Sequence, residues 1–508
     1  MKKIIKYSLI GILTVFFSSC DQGLDDLNTN ETDATSIDPA FQLNRAVISS
    51  SYSSIIYDMG IVQQIISPNS GVLTGANYNQ DNRDATEDVW KQFYPDVIRN
   101  TRDVIFRASE DPERSNLVNM ARILQCYAFM ILTDTYGDIP YFDGGKGYTE
   151  GIFLPEYDTQ ESIYDDIILE LQQASAALDA SGKIETADVL FGGNIDQWKK
   201  FGYSLLLRAG MRLSAVDPAQ AQQVVQNAVQ GGVILSNSDN AVVLHDDNYA
   251  NGVGNTLNAT EANNYYLTEP FVNYLKNNND PRLVSIAVTY VGATSGPGQV
   301  LGPDGNGSND PSIQVGMPLG YDNNTIAQVA SDLGLASFYE FAQCDRERLT
   351  KRTAPGWLVT AAQTNLLLAE AAHRQWISGA AGEYFTEGVR VHMEQMALHD
   401  EGAAIDPADI QTYLDNNPLS AGTELEQINT QYWVATFLNG SEAFANFRRS
   451  GYPALAPNPF PGKDITGDFI NRLTYPNSEI SVNTENVNAA IARMGGDNLD
   501  VKVWWDSN

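Results

Sequence analysis

The chain has 508 residues, with 31 lysine and arginine residues against 63 aspartate and glutamate residues, a formal net charge of −32. Such an acidic surface repels phosphate backbones, which argues against a nucleic-acid-binding protein. Hydrophobic residues make up 43% of the chain, enough for a large core, and three cysteines are too few for a disulfide scaffold.

Residues 1–19 have the pattern of a signal peptide. Three lysines precede an apolar run that ends at Phe17, and two serines stand before Cys20. The run is shorter than the ~20 residues that a membrane-spanning helix needs. Small residues followed by a cysteine resemble a bacterial lipobox, although Phe17 is bulkier than the usual aliphatic residue. We expect Cys20 to be the lipidated first residue of the mature protein; a plain secreted protein is the alternative.

The next segment, residues 20–38, is polar and lacks apolar periodicity, so it predicts a flexible tether. The tether would connect the acyl chains on Cys20, such as palmitate, to one domain over residues 39–508. Several acyl chains together anchor a protein stably at a membrane.

Helical periodicity dominates the domain. Apolar residues recur at spacings of three and four from Trp90 to Ile105, which predicts a helix that begins or kinks at Pro95. A second apolar run over residues 116–136 predicts its antiparallel partner, with Cys126 in the core. A third helix is expected to start at Asp158 with a capping-box-like pattern.

The expected fold class is mainly α. Helix pairs are predicted over about residues 85–230 and 357–450, and they resemble tetratricopeptide units without a strict repeat. Between them, about residues 233–355 form a loop-rich insert, and long loops of this kind are usually functional or mobile. Tryptophans at helical spacing are expected in the core, namely Trp90, Trp198, Trp376 and Trp433.

Motifs of catalysis and metal binding are missing from the sequence. The four histidines form no zinc-binding pattern, and no nucleophile elbow, Walker loop or dinucleotide fingerprint occurs. The segment "DGNGSND" at residues 304–310 lacks the glutamate of a calcium loop and is expected to be an ordinary loop. We therefore expect no enzyme, no cofactor and no metal site, although 63 acidic residues leave paired carboxylates of a hydrolase open.

Several segments, in order along nearly the whole mature chain, resemble the SusD/RagB family of outer-membrane nutrient-binding lipoproteins of Bacteroidota, in particular its SusD-like branch. The matching stretches are "FSSC", "LTDTYGDIPYFD", "YDTQESIYDDIILEL", "GGNIDQWKKFGYSLLLRAGMRLS", "DPRL", "NLLLAEAA", "QYWVATFLNGSEAFANFRRSGYP", "RLTYPNSE", "NVNAAIARMGGD" and "VWWD".

This resemblance implies a scaffold of four tetratricopeptide-like helix pairs and a lipid anchor in the outer membrane that faces outward. It also implies a SusC-like TonB-dependent transporter as partner, to which captured oligosaccharides are delivered, and no catalysis. Peptide capture is an alternative within the family, and an exported polysaccharide hydrolase is the alternative from another class.

Aromatic residues in polar loops are the candidates for ligand contact, because sugar rings stack their C–H faces on aromatic rings while polar side chains bond to hydroxyls. For each of them, local packing is the alternative. The candidates are Tyr78, Asn79, Asp81, Arg83, Tyr265, Tyr266, Tyr290, Tyr321 and Trp357.

Overall fold

A computed structural model describes residues 37–69, 71–258 and 262–507 of the chain. The predicted signal peptide, Cys20 and nearly all of the predicted tether lie outside the described residues. None of the described helices is long and apolar enough to cross a membrane.

The first part of the described chain, up to residue 231, is helical apart from one short strand. Its elements are α1 (Pro39–Ser49), α2 (Ile55–Ile61), β1 (Ile65–Ile66), α3 (Thr74–Tyr78), α4 (Arg83–Thr86), α5 (Asp88–Phe93), α6 (Arg99–Ala108), α7 (Ser115–Tyr136), α8 (Gly147–Glu150), α9 (Gln160–Ala177), α10 (Ile195–Arg212) and α11 (Pro218–Gly231).

Short strands and short helices alternate in the middle of the chain, and long helices return after it. The middle elements are β2 (Ala241–Val243), α12 (Gly252–Asn258), β3 (Tyr266–Leu267), α13 (Glu269–Asn277), α14 (Arg282–Ile286), β4 (Ala287–Tyr290), β5 (Gly307–Ser308), α15 (Ile326–Asp332), β6 (Gln343–Cys344) and β7 (Gly356–Val359). The last are α16 (Ala361–His373), α17 (Ala381–His399), α18 (Pro407–Asn416), α19 (Glu424–Ala435), α20 (Gly440–Ser450), α21 (Asn477–Val482) and α22 (Thr484–Met494).

Consecutive helices pack against each other in pairs: α6 with α7, α9 with α10, α16 with α17, and α19 with α20. Neighbouring pairs also pack together through α7 and α9 and through α16 and α19. Close approach depends on small residues, since a Cβ at Gly202 of α10 would lie 2.1 Å from Oγ of Ser175 on α9. The predicted fold class, mainly helical and built from helix pairs, is confirmed.

The helix that contains Pro95 does not break. Tyr94–Ile98 forms one π-helical turn between α5 and α6. Proline lacks an N–H donor and its ring crowds the preceding turn, which a wider π turn accommodates. The irregularity therefore lies where the sequence predicts it, as a local widening of the turn.

The start of α9 differs from the prediction by one residue. Thr159 is the N-cap, and its hydroxyl accepts from the Ser162 amide at 3.3 Å. Asp158 instead accepts from the amides of Tyr141 and Phe142, each at 2.9 Å. Its carboxylate therefore fixes the preceding loop, while the shorter threonine side chain reaches the helix.

Arg212 joins three helices in the interior. Its guanidinium lies 3.1 Å from the carboxylate of Asp134 on α7 and 2.6 Å from that of Glu442 on α20. All three side chains are buried, so each charged group needs its counter-charge to offset its lost solvation. The indole of Trp505 also donates to Asp134 at 2.9 Å, which ties the C-terminal segment to the helices.

The middle segment has cores of its own. Of its three small antiparallel sheets, β1–β3 joins it to the first part of the chain, while β2–β7 and β5–β4–β6 form within the middle segment. Tyr266 packs with Ile66, Met317 and Phe341 in one satellite cluster, and Tyr290 packs with Val288 in another. Aromatic residues of the loop-rich insert can therefore be buried in these clusters.

The tryptophans predicted as core residues, Trp90, Trp198, Trp376 and Trp433, are buried. Cys126 in α7 is buried as expected, and it and Cys344 in β6 are free thiols.

Candidate ligand-binding surface

Tyr78 and Asn79 form the base of a surface where three loops meet. Tyr78 ends α3, is buried, and stacks on Phe460 with ring centroids 4.0 Å apart. Burial and the charge of Asp322 raise the pKa of Tyr78 to about 12, so its hydroxyl stays protonated at neutral pH. Asn79 is buried in a left-handed conformation (φ 53°), which asparagine tolerates better than most residues. Its carbonyl accepts from the Asp464 amide at 2.8 Å.

Asp81 and Arg83 fasten the same loop to the C-terminal segment. The carboxylate of Asp81 accepts from the Thr474 hydroxyl at 2.7 Å and from Arg83 Nε at 3.2 Å. Nη1 of Arg83 donates to Asp497 at 2.7 Å and to the Tyr475 carbonyl at 3.0 Å. The Arg83 side chain is about three-quarters buried, so its main effect is to position the loop, whereas Asp81 is more open to solvent.

Two further loops cover this base. The backbone of Gly320 approaches Pro459 so closely that a Cβ there would lie 2.5 Å from Cγ of the proline. The amide of Asp81 donates to Asp464 at 2.9 Å, and Gln80 Nε2 donates to the Gly462 carbonyl at 2.6 Å. We call this arrangement the loop junction; it comprises residues 78–83, 319–325 and 458–464.

The outer face of the loop junction combines aromatic rings with polar groups. Tyr321 is 36% exposed and Phe460 is half-buried. Gln80, Lys463 and Asp464 offer an amide, an ammonium and a carboxylate beside them. Stacking surface next to hydrogen-bonding groups can bind a sugar ring, whose faces are apolar and whose rim carries hydroxyls.

Phe460, Lys463 and Asp464 were not among the residues predicted from sequence. The signal was present, because "PNPFPGKD" at residues 457–464 is an aromatic residue in a polar, proline-rich loop. The same criterion that selected Tyr321 selects Phe460.

Tyr265 and Tyr266 lie apart from the loop junction, in the insert. Tyr266 is buried in β3 opposite Ile66, and its hydroxyl donates to the Asn263 carbonyl at 2.7 Å. Tyr265 is half-buried and lines a narrow interior pocket with Met59 and Phe437. Tyr266 therefore offers little surface to a ligand, whereas part of Tyr265 remains accessible.

Tyr290 is also an interior residue. It ends β4, is 1% exposed, and accepts a hydrogen bond from Arg346 Nε at 3.2 Å. The Arg346 guanidinium carbon lies 4.9 Å from the centre of the tyrosine ring. Burial raises the pKa of Tyr290, against the opposing effect of this arginine.

Trp357 is held in β7 by a histidine. Its indole N–H donates to Nε2 of His399 at 2.9 Å, so this histidine carries its proton on Nδ1, 3.0 Å from the Leu349 carbonyl. Burial lowers the pKa of His399 to about 4, which keeps it neutral. Trp357 thus has its polar group satisfied inside the protein.

The predicted ligand-binding residues therefore fall into two groups. Tyr321, Asp81 and Arg83 belong to the loop junction, with Tyr78 and Asn79 beneath them. The other four pack elsewhere, and Tyr266, Tyr290 and Trp357 are less than a tenth exposed. Within the described residues, no group of histidine, cysteine and acidic side chains could hold a metal ion.

Comparison with known proteins matches residues 31–476 to the family described as SusD-like, starch-binding and associating with the outer membrane. The chain belongs to the SusD-like family. Members of this family are binding proteins associated with the outer membrane, not enzymes. The resemblance seen in the sequence is thereby confirmed.

Solved structures of similar proteins superpose on nearly the whole chain. A chitin-binding protein is 31% identical, with a TM-score of 0.81 over 92% of this chain and 100% of its own. A SusD-like protein designated Bacteroidetes AC2a is 26% identical, with a TM-score of 0.80 over 93% and 100%. A chitin-binding SusD homolog from Flavobacterium johnsoniae, 24% identical, shares the fold with a TM-score of 0.71 over 93% and 96%. No curated protein sequence matches the chain.

Proposed function

We propose that this SusD-like protein is a cell-surface lipoprotein that captures glycans at the loop junction and delivers them to a SusC-like TonB-dependent transporter. The observation that carries the proposal is the exposed Tyr321 and the half-buried Phe460, which stand on adjoining loops among polar groups on the scaffold of this family. The chitin-binding relative, 31% identical over 92% of this chain, supports a glycan as ligand.

The candidate residues take different roles in this proposal. Tyr321 and Phe460 stack on sugar rings, and Asp81 and Gln80 bond to hydroxyls. Tyr78, Asn79 and Arg83 position the contacting residues from below. Tyr265, Tyr266, Tyr290 and Trp357 stabilise the insert that presents Tyr321.

Anchoring is the second part of the proposal. The order of lysines, apolar run, serines and cysteine in residues 1–20 supports lipidation of Cys20. The outer-membrane association of the family agrees with such an anchor. A protein tethered over its transporter keeps its captured ligand at a high effective concentration near the entrance.

Retention on insoluble chitin and on starch tests the ligand class. The wild-type protein should be retained on at least one polymer and release no new reducing ends. The variant Tyr321→Ala/Phe460→Ala should lose at least tenfold of its retention, because two stacking rings are removed. Tyr148→Ala is the matched control, since Tyr148 is an 86% exposed aromatic on α8, outside the loop junction.

Two outcomes would contradict the proposal. Unchanged retention of Tyr321→Ala/Phe460→Ala would show that the glycan binds at a site other than the loop junction. Failure of the wild type to bind any glycan, together with binding of immobilised peptides, would establish the peptide alternative. For the partner, a TonB-dependent transporter should co-purify with the protein from mild detergent extracts and be identified by mass spectrometry.

A further inference from the structure

A second cleft lies where the insert meets the helix pairs. It holds about 270 Å³ between α13, α17, α18 and α19, close to the lower end of the range for small-ligand sites. Its lining shares no residue with the loop junction. The lining residues are Tyr274, Asn278, Phe385, Tyr413, Asn417, Thr423, Glu426, Gln427, Thr430 and Gln431.

The lining of the cleft is polar and aromatic. It contains three aromatic rings and four side-chain amides, and Glu426 is its one charged residue. A wall of amides, hydroxyls and aromatic rings matches a neutral ligand that has many hydroxyl groups, because amides and hydroxyls bond to hydroxyls and aromatic rings stack on apolar sugar faces.

A buried network fixes the floor of the cleft. Gln431 is 3% exposed, and its Nε2 donates to the hydroxyl oxygens of Tyr274 and Tyr413, both at 3.0 Å. Each phenol therefore accepts from the same amide. Even where one phenol donates to the other, the hydrogen of the second remains available to an acceptor in the cleft.

Charged groups behind the floor hold Gln431 in this orientation. Nη2 of Arg282 donates to Oε1 of Gln431 at 2.7 Å, and Arg282 is paired with Asp280, both fully buried. Nη1 of Arg282 lies 2.8 Å from Nδ1 of His392, which must accept because a guanidinium only donates. Burial and the adjacent arginine lower the pKa of His392, which keeps it a neutral acceptor.

We propose that this cleft is a second saccharide site, which binds a mono- or disaccharide unit of the ligand. The inference rests on the proposed glycan-binding function and extends it to a site separate from the loop junction. The ring of Tyr274 contacts a sugar face, the phenol pair donates to a ring or hydroxyl oxygen, and Asn278, Asn417 and Gln427 bond to the remaining hydroxyls. Arg282 and Gln431 are positioning residues.

Titration of the full-length protein with maltose and with N,N′-diacetylchitobiose, by calorimetry and saturation-transfer NMR, tests the site. Thr423 is exposed at the rim, so Thr423→Trp should block the cleft without disturbing the core and weaken disaccharide binding at least tenfold. Thr412→Trp, the same change at an exposed position of α18 outside the lining, is the matched control and should bind like wild type. Tyr274→Phe should weaken binding about threefold to tenfold, since it removes one hydroxyl.

The outcomes separate this inference from the proposed function. Disaccharide binding that survives in Tyr321→Ala/Phe460→Ala but is lost in Thr423→Trp supports a second site. Binding by Thr423→Trp with wild-type affinity and stoichiometry would overturn the inference. Retention of wild type on chitin or starch without any bound disaccharide would also overturn it and leave the function of the loop junction intact.

Discussion

The rings of Tyr78 and Phe460 stack with centroids 4.0 Å apart and planes 26° from parallel. Tyr78 is buried and Phe460 half-buried, so the inner ring supports the outer one at the surface. The position of the Phe460 ring at the loop junction therefore depends on a buried residue beneath it. The hydroxyl of Tyr78 takes no part in this stack; it donates one long hydrogen bond, 3.3 Å, to the Pro68 carbonyl.

Substitutions at Tyr78 should separate the ring from the hydroxyl. Tyr78→Phe keeps the stack, so we expect unchanged retention on glycan and a loss of about 0.5–1 kcal/mol in the free energy of unfolding. Tyr78→Ala removes the support of Phe460, and we expect a loss of about 3–5 kcal/mol together with weaker retention. Urea unfolding and polymer retention measure the two effects. Full retention by folded Tyr78→Ala would contradict the role of the stack.

Asp58 should make stability depend on pH. It is buried in α2, Ser441 donates to its Oδ2, and Oδ1 lacks a hydrogen-bond partner among the described residues. Burial raises its pKa to about 6, against the opposing effects of Ser441 and Arg448. Because the folded protein holds this proton more tightly than the unfolded chain, the contribution of Asp58 to stability is complete below about pH 4 and is lost as the pH rises through 6.

The variant Asp58→Asn cannot lose that proton. From pH 4 to pH 8, its free energy of unfolding should therefore rise relative to that of wild type by about 3 kcal/mol. Urea unfolding at several pH values measures the difference, with Asp247→Asn, an exposed carboxylate, as control. A difference that stays constant with pH would show that Asp58 titrates normally.

Glu370 and Arg449 form a buried ion pair between α16 and α20. Both side chains are 1% exposed, and two guanidinium nitrogens lie 2.7 and 2.8 Å from the two carboxylate oxygens. Burial alone would raise the pKa of Glu370, but the charge and hydrogen bonds of Arg449, together with the charge of Arg374, outweigh burial and lower the pKa to about 2. The pair therefore stabilises the fold above about pH 4.5, and this contribution is lost as the pH falls through 2.

Glu370→Gln should lower the free energy of unfolding by about 3–5 kcal/mol at pH 7, because it leaves Arg449 buried without its counter-charge. The difference in the free energy of unfolding between Glu370→Gln and wild type should narrow as the pH falls below 4.5. Glu394→Gln, which breaks the exposed pair with Arg390, should change stability by less than about 0.5 kcal/mol. A similar small effect at Glu370 would mean that the interior accommodates the unpaired arginine.

The helices were predictable because burial repeats with the helical period. Trp90, Trp198 and Trp433 stand on α5, α10 and α19, and each is buried; Trp376 is buried too, but it follows the end of α16. The buried charges were not predictable, since nothing local marks Arg212, whose partner Glu442 lies on another helix pair.

Which tyrosines of the loop-rich insert are exposed could not be predicted from the sequence. Tyr266 and Tyr321 stand in polar stretches and Tyr290 stands at the start of a loop, yet the exposed fraction is 1% for Tyr266 and Tyr290 and 36% for Tyr321. Pairing with distant segments decides the difference, since Ile66 lies opposite Tyr266 and Arg346 packs on Tyr290. Such long-range contacts leave no periodic signal in one sequence.

The proposed anchor is tested at Cys20. Cys20→Ala removes the thiol that would carry an acyl chain, so the protein should leave the membrane fraction and no longer incorporate labelled palmitate. Its thermal unfolding should match that of wild type, because the predicted tether separates Cys20 from the domain. Cys126→Ala is the control: it removes a buried thiol of α7 and should leave anchoring unchanged. Membrane retention of Cys20→Ala after high-salt and carbonate washes would refute lipid anchoring at this residue.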